Sequence, residues 1–249
     1  MRFVASIVAV CPIRKEPDHK SEMTSQLLLG EHAEVLEVQK EFVQIKCLYD
    51  GYIGWCQRVQ LAFTNDFVTS NQFVVNAFDN VHINQQPCRV SFAMPVFRQA
   101  LLFDNFEIDY KNIATLDAVT NTFSAENITR YTSIFLNTPY LWGGRTLFGI
   151  DCSGFAQQVY KLFNKQIPRD AYQQAELGEA LGFLEEAICG DLAFFDNEAG
   201  LITHVGIILN NHQIIHASGR VRIDTIDSAG IISSDTGLRT HHLRVVKRY

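Results

Sequence analysis

Two periodicities divide this chain, and the division limits what it can fold into. From residue 1 to about 120, apolar runs of strand length (FVASIVAV, AEVLEV, FVQIKCL, YIGWCQ, QFVVNAF, CRVSFAMPVF) are separated by turn clusters at Glu16-Pro17-Asp18, Gly30-Glu31, Tyr49-Asp50-Gly51 and Asp79-Asn80. That spacing is expected of small β-barrels, and Asp50-Gly51 between CLY and YIGW marks a hairpin, because glycine takes the positive φ that tight turns demand. From Ser124 the pattern turns helical. Ile128, Tyr131 and Phe135 share one face behind a serine cap, and Asn137-Thr138-Pro139 closes the segment. A second helix is expected after Cys152, with Phe155, Val159, Leu162 and Phe163 on one stripe, and a third after Pro168-Arg169-Asp170. Strand-like DLAFFD, HVGIILN and QIIHAS come last. Helices followed by antiparallel strands make the second half α+β.

Composition narrows the partners. With 249 residues, 47% of them hydrophobic, two or three small domains are expected. Twenty-one basic residues face 27 acidic ones, a net charge of −6 without any Lys/Arg cluster, so no nucleic acid partner is expected. A membrane span needs about 20 apolar residues, and no run of that length occurs. The opening MRFVASIVAVC reads as a first strand, with an export signal as the alternative. The six cysteines show no CxxC pair and no close Cys/His spacing, so neither metal nor cofactor is expected, and reduced thiols are favoured over disulfides.

One cysteine stands apart. In GGRTLFGIDCSG, Cys152 follows Asp151, precedes Ser153-Gly154 and begins a helix, where unsatisfied N–H groups and the positive dipole end favour a thiolate and can hold an oxyanion. Asp151 opposes the thiolate by its charge and is read as a cap. Cys11, Cys47, Cys56, Cys88 and Cys189 are read as ordinary packed thiols. A thiolate needs a base, and of eight histidines His204 and His216 stand out, on strands joined through Asn210-Asn211-His212. If a three-residue loop closes with Leu209 opposite Gln213, His216 faces Gly206 and His204 is its diagonal neighbour on the same face, while a two-residue loop would put them on opposite faces. Cys152 as nucleophile, His204 as base and His216 as its orienting group is then the economical arrangement.

The run TPYLWGGRTLFGIDCS, followed by HVGI and IIHAS, resembles the NlpC-type cell-wall peptidases, papain-like enzymes that cut peptidoglycan stem peptides, over residues 121 to 240. The resemblance implies a papain-like domain over 121–249 with Cys152, His204 and His216 as triad, Tyr140 near the oxyanion, and cleavage between γ-D-glutamate and the following diamino acid. It also implies two bacterial SH3-like barrels ahead of it, over 1–62 and 63–120, since PIRKEPDHKSEMTSQLLLGE and DGYIGW resemble strands of such domains. In that branch an acid in a Pro-Arg-Asp segment, here Asp170, selects a free N-terminal L-alanine. Glu22 and Tyr52 of the first barrel are its expected companions, with Trp142 lining the groove and Ser153, Arg145 and Tyr172 as further substrate-side candidates. Phe194, Phe195 and Trp55 are read as core. The expected substrate is a murein tripeptide or tetrapeptide, acted on by a monomer in the bacterial cytoplasm, or in the periplasm if the N-terminal apolar stretch reflects an export signal. Meso-diaminopimelate and lysine stay open at the third position. A degenerate wall-peptide-binding module and a papain-like amidase or acyltransferase are the alternatives.

Overall fold

The computed structural model describes residues 1–103 and 105–249. The change of pattern near Ser124 is a change of architecture, and the α+β class holds. Seven strands between Phe3 and Thr64 form one sheet wrapped around Val4, Ile13, Leu27, Val43, Ile45 and Cys56. Phe42–Cys47 and Ile53–Gln57 pair across the Asp50-Gly51 turn, where Gly51 sits at φ 73° and the Tyr52 amide donates to Asp50 Oδ1 at 3.0 Å. FVASIVAV is not one strand but a corner between two, Phe3–Ser6 and Val10–Arg14. The Ser6 hydroxyl donates to the Val8 carbonyl at 2.9 Å there, and the two strands take positions far apart in the sheet order.

Residues 72 to 117 build a four-stranded and a three-stranded sheet. Their core takes in residues of the first unit: Val74, Val81, Phe97 and Tyr110 pack with Leu28 and Leu29.

The remaining chain carries three helices, α1 (Ala125–Ile134), α2 (Cys152–Lys161) and α3 (Ala171–Glu176). Ser124 caps α1 through the Asn127 amide. Every residue of α2 is buried, so the nucleophile candidate sits at the head of the domain's central helix. The sheet behind it is built on β1 (Leu192–Asp196), β2 (Ile202–Asn210), β3 (Gln213–Ser218), β4 (Arg220–Asp227), β5 (Gly230–Ile232) and β6 (Arg239–Arg248), with the short strand Glu179–Ala180 added on β6. They pair in that order, β6 pairs with β1 and β5, and the six strands close on themselves. Phe155 and Val159 of α2 meet Val205 and Ile207 of β2 and Ile215 of β3 in one core.

The first unit is bolted to the helical domain by buried polar contacts. Arg145, just before α2, donates to Glu31 Oε2 at 2.9 Å and to the Gln26 carbonyl at 2.6 Å, and its own amide donates to Gln26 Oε1 at 2.8 Å. Lys161, at the far end of α2, reaches Glu31 Oε1 at 3.7 Å. Burial, against the pull of Glu31 and helped by Arg145, pushes Lys161 down to about 7. Burial would raise Glu31, but Arg145 and Lys161 outweigh it and keep the carboxylate ionised. Breaking a buried pair by removing one partner costs about 3–5 kcal/mol. Arg145→Ala is expected to lose stability on that scale, read as a shift of the urea midpoint.

Candidate active site

The glycines around Cys152 are there because backbones meet. Gly143 has φ 77°, and a Cβ on it would lie 2.8 Å from the Met23 carbonyl oxygen of the first unit, while a Cβ on Gly154 would collide with the Gly144 carbonyl. These contacts fold the loop tightly over the start of α2. Asp151 is its N-cap and more. Its carboxylate accepts from the amides of Gly154 at 2.7 Å and Gly143 at 2.8 Å, and from Arg169 at 2.6 and 3.0 Å. Arg169 is buried and also donates to Ser25 Oγ of the first unit at 3.1 Å and to Ser153 Oγ at 2.9 Å.

Cys152 is buried, in one core with Val205 of β2. Burial pushes its thiol up, as does the Asp151 charge; the Val205 amide, Arg169 and the Ser153 amide pull the other way, and the result lies at about 12. Burial likewise drives His204 well below 6.5, assisted by His216 and His241. The helix start is therefore not sufficient to make a thiolate, contrary to what its sequence position implies. Each charge alone is disfavoured in this interior, and a neighbouring proton acceptor offsets the cost of the thiolate.

His204 Nε2 lies 2.8 Å from His216 Nδ1, and His216 Nε2 lies 3.0 Å from Asp224 Oδ2. The hairpin that aligns the two histidines differs from the three-residue loop considered above. Asn210 pairs with Gln213 around a two-residue turn, and a bulge at Leu209 restores the Gly206–His216 pairing. The extra residue offsets the parity of the shorter turn. His241 of β6 stacks on His204 at 4.2 Å between ring centres. Nitrogens of His204, His216 and His241 fall within 4.8 Å of one another, but both nitrogens of His216 are engaged, so a cation there would have to break the chain of hydrogen bonds.

A cleft of about 450 Å3 opens onto Cys152, lined by Tyr140, Trp142, Ser153, Asp170 and Tyr172, with Thr24 and Tyr52 from the first unit. Tyr140 is half-buried; burial first, then Cys152 and Asp151, raise its phenol, which stays a donor. Trp142 is 58% exposed on the rim. Asp170 is half-buried at the N-cap of α3, where its amide meets Gln173 Oε1 at 3.5 Å. Glu22 is not part of the cleft. It is exposed on a loop whose carbonyl side turns inward to the Lys15 amide, and Thr24, two positions on, takes the place at the wall. Arg145 faces Glu31 and Gln26 rather than the cleft. Sequence reasoning also passed over Arg169, His241 and Asp224. For Asp224 a signal existed: Ser218 and Arg220 pair across Gly219, and counting from there puts Asp224 diagonal to His216.

The NlpC/P60 family model matches residues 137–240, and that of the bacterial dipeptidyl-peptidase SH3 domain matches residues 13–61. The chain is 30% identical over 214 residues to a gamma-D-glutamyl-L-lysine dipeptidyl-peptidase of Bacillus subtilis, spanning 78% of this chain and 71% of that one. It is 27% identical over 253 residues to a protein of the same name from Bacillus cereus, spanning 89% and 76%. A solved NlpC/P60 family structure from Bacillus cereus has the same fold, with a TM-score of 0.80 at 22% identity over 99% of each chain.

The cluster makes a pH prediction. Burial, then His216, hold His241 at about 4 against an ordinary 6.5, so as pH falls from about 6.5 the unfolded chain takes up protons before the folded one does. Stability then declines as pH falls toward 4 and is unaffected by His241 above 6.5. Urea midpoints measured from pH 7.5 to 4.5 are expected to fall, and less steeply in His241→Phe.

Proposed function

Because this chain belongs to the NlpC/P60 family of cysteine peptidases and is by that membership a cell-wall peptidase, we propose that it hydrolyses the bond between γ-D-glutamate and the diamino acid that follows it in murein stem peptides whose N-terminal L-alanine is free. The two Bacillus relatives are named for a γ-D-glutamyl-L-lysine bond; lysine and meso-diaminopimelate both fit this reading. The observation that carries it is the composition of the cleft. Tyr52 and Thr24 of the first unit wall one side of a space that also holds Cys152 and the half-buried Asp170. A partly desolvated carboxylate there pairs with a terminal ammonium and rejects N-acylated or glycan-attached peptides.

In this mechanism the Cys152 thiol gives its proton to His204 as sulfur attacks the γ-carbonyl carbon. The first-turn amides of α2 and the Tyr140 hydroxyl receive the oxyanion. His204 then protonates the departing amine, leaving a thioester, and takes a proton from the water that hydrolyses it. Free amino termini arise once stem peptides have left the glycan, which favours cytoplasmic recycling of wall fragments over remodelling of the wall. The cleft is complete within one chain, so a monomer suffices.

Incubation with L-Ala-γ-D-Glu-meso-diaminopimelate is expected to release L-Ala-D-Glu, and Cys152→Ala to release none. An intact tripeptide, with Cys152 still alkylated selectively by iodoacetamide, would refute the substrate while leaving the nucleophile. Asp170→Asn is expected to raise KM for the free tripeptide about tenfold, worth about 1.4 kcal/mol, with kcat within about twofold and no change toward the N-acetylated peptide.

A further inference from the structure

We propose that Asp224 is a positioning residue for the reaction, the far end of a hydrogen-bonded chain across three strands that dictates which nitrogen of His204 is left bare to accept the Cys152 proton. The proposal deepens the peptidase reading and rests on it only for its kinetic test.

The alignment comes from the sheet. Gly206 pairs with His216 and Ile214 with Asp224, so His204 on β2, His216 on β3 and Asp224 on β4 are successive diagonal neighbours on one face. With both rings neutral, the hydrogen bonds allow one proton arrangement. Asp224 Oδ1 accepts from the Ser234 amide at 2.8 Å, the Ser234 hydroxyl at 2.7 Å and Arg222 Nη2 at 3.0 Å, while Oδ2 faces His216 Nε2 at 3.0 Å with Arg222 Nε also 3.0 Å away. Burial raises the Asp224 carboxyl, but its hydrogen bonds from His216, Ser234 and Arg222 outweigh this and hold it below the ordinary carboxylate range. It is an acceptor only, so His216 Nε2 carries the proton. A neutral imidazole has one N–H, hence His216 Nδ1 accepts, and the group that donates to it across 2.8 Å is His204 Nε2–H. His204 Nδ1, the ring nitrogen nearer its backbone, keeps its lone pair. The next residue along that backbone, Val205, packs in one core with Cys152.

The same lock makes Asp224→Asn a sharp test. Three donors already hold Oδ1, against the one Arg222 Nε beside Oδ2, so the new amide nitrogen takes the place of Oδ2 and donates to His216 Nε2. The chain then reverses: His216 Nδ1–H donates to His204 Nε2, and the His204 proton moves to Nδ1, where the base was. With full-length, 15N-histidine-labelled protein, the wild type is expected to show His204 and His216 protonated on Nε2, and the variant to show both protonated on Nδ1. Turnover of the tripeptide is expected to fall about 10²- to 10⁴-fold in kcat with KM within about threefold, the scale of a triad acid exchanged for its amide. Iodoacetamide alkylation of Cys152, followed on its own peptide by mass spectrometry, is expected to slow about tenfold or more in parallel, since the thiol then lacks a proton acceptor.

A wild-type His204 protonated on Nδ1 overturns the proposal without any variant being made, so failure of Asp224→Asn to fold does not shelter it. A kcat within about threefold of wild type overturns it, as does a loss of kcat with unchanged tautomers, which is what a merely structural aspartate produces. Should the wild type leave the γ-glutamyl tripeptide intact, the substrate assignment fails, and the tautomer and alkylation measurements still decide the role of Asp224.

Discussion

The Asp151 carboxylate accepts from the head of α2, from the glycine loop before it and from the Arg169 guanidinium. Through Arg169 the same group is tied to Ser153 and to Ser25 of the first β unit. Four segments distant in sequence are thereby held at one point, and Cys152 is the next residue along the chain. Buried ion pairs contribute little net stability compared with apolar packing, because desolvation offsets their attraction. What this one supplies is position, since an unpaired Asp151 or Arg169 in that interior has no alternative partner of comparable geometry.

Position matters because charge is so costly here. Burial raises the Cys152 thiol and lowers His204, and the partial charges of a helix start are small beside that effect. A surface cysteine at the same helix position would ionise by itself and react with whatever arrived. In the proposed mechanism the proton leaves sulfur as the imidazole takes it, so nucleophilicity would depend on the alignment of His204, and that alignment depends on strand register. The stack of His241 on His204 adds to the desolvation and keeps water from the face of the ring.

Much of this architecture was legible in the residues, and the failures share a cause. The change of period near Ser124, the Asp50-Gly51 hairpin and the caps at Ser124 and Asp151 are local, carried by residues a few positions apart. Helix ends were blurred for the same reason: Phe135 and Leu162 continue their apolar stripes, yet they are the C-caps of α1 and α2. The facing of His204 and His216 was reachable by counting across one hairpin, although turn and bulge combine differently from the simple loop. Asp224 required a second hairpin to be counted from the first. Arg169 and Glu31, as buried partners of Asp151 and Arg145, join segments more than ten residues apart that no pattern links. Glu22 lies on a loop that folds back on itself, joined by the Lys15 amide to its carbonyl and by Ser21 Oγ to the Glu16 amide, and Thr24 is the residue of that segment that lines the cleft.

The strand Met23–Leu28 of the first unit supplies Ser25 to Arg169, and Gln26 to Arg145, inside the other half of the molecule. A recombination breakpoint between the two halves would strip two guanidinium groups of part of their cage. The N-terminal module is therefore ill suited to being exchanged for a different anchor in the course of evolution. Gene fusions that preserve activity are expected to carry both halves together, with new modules added outside them.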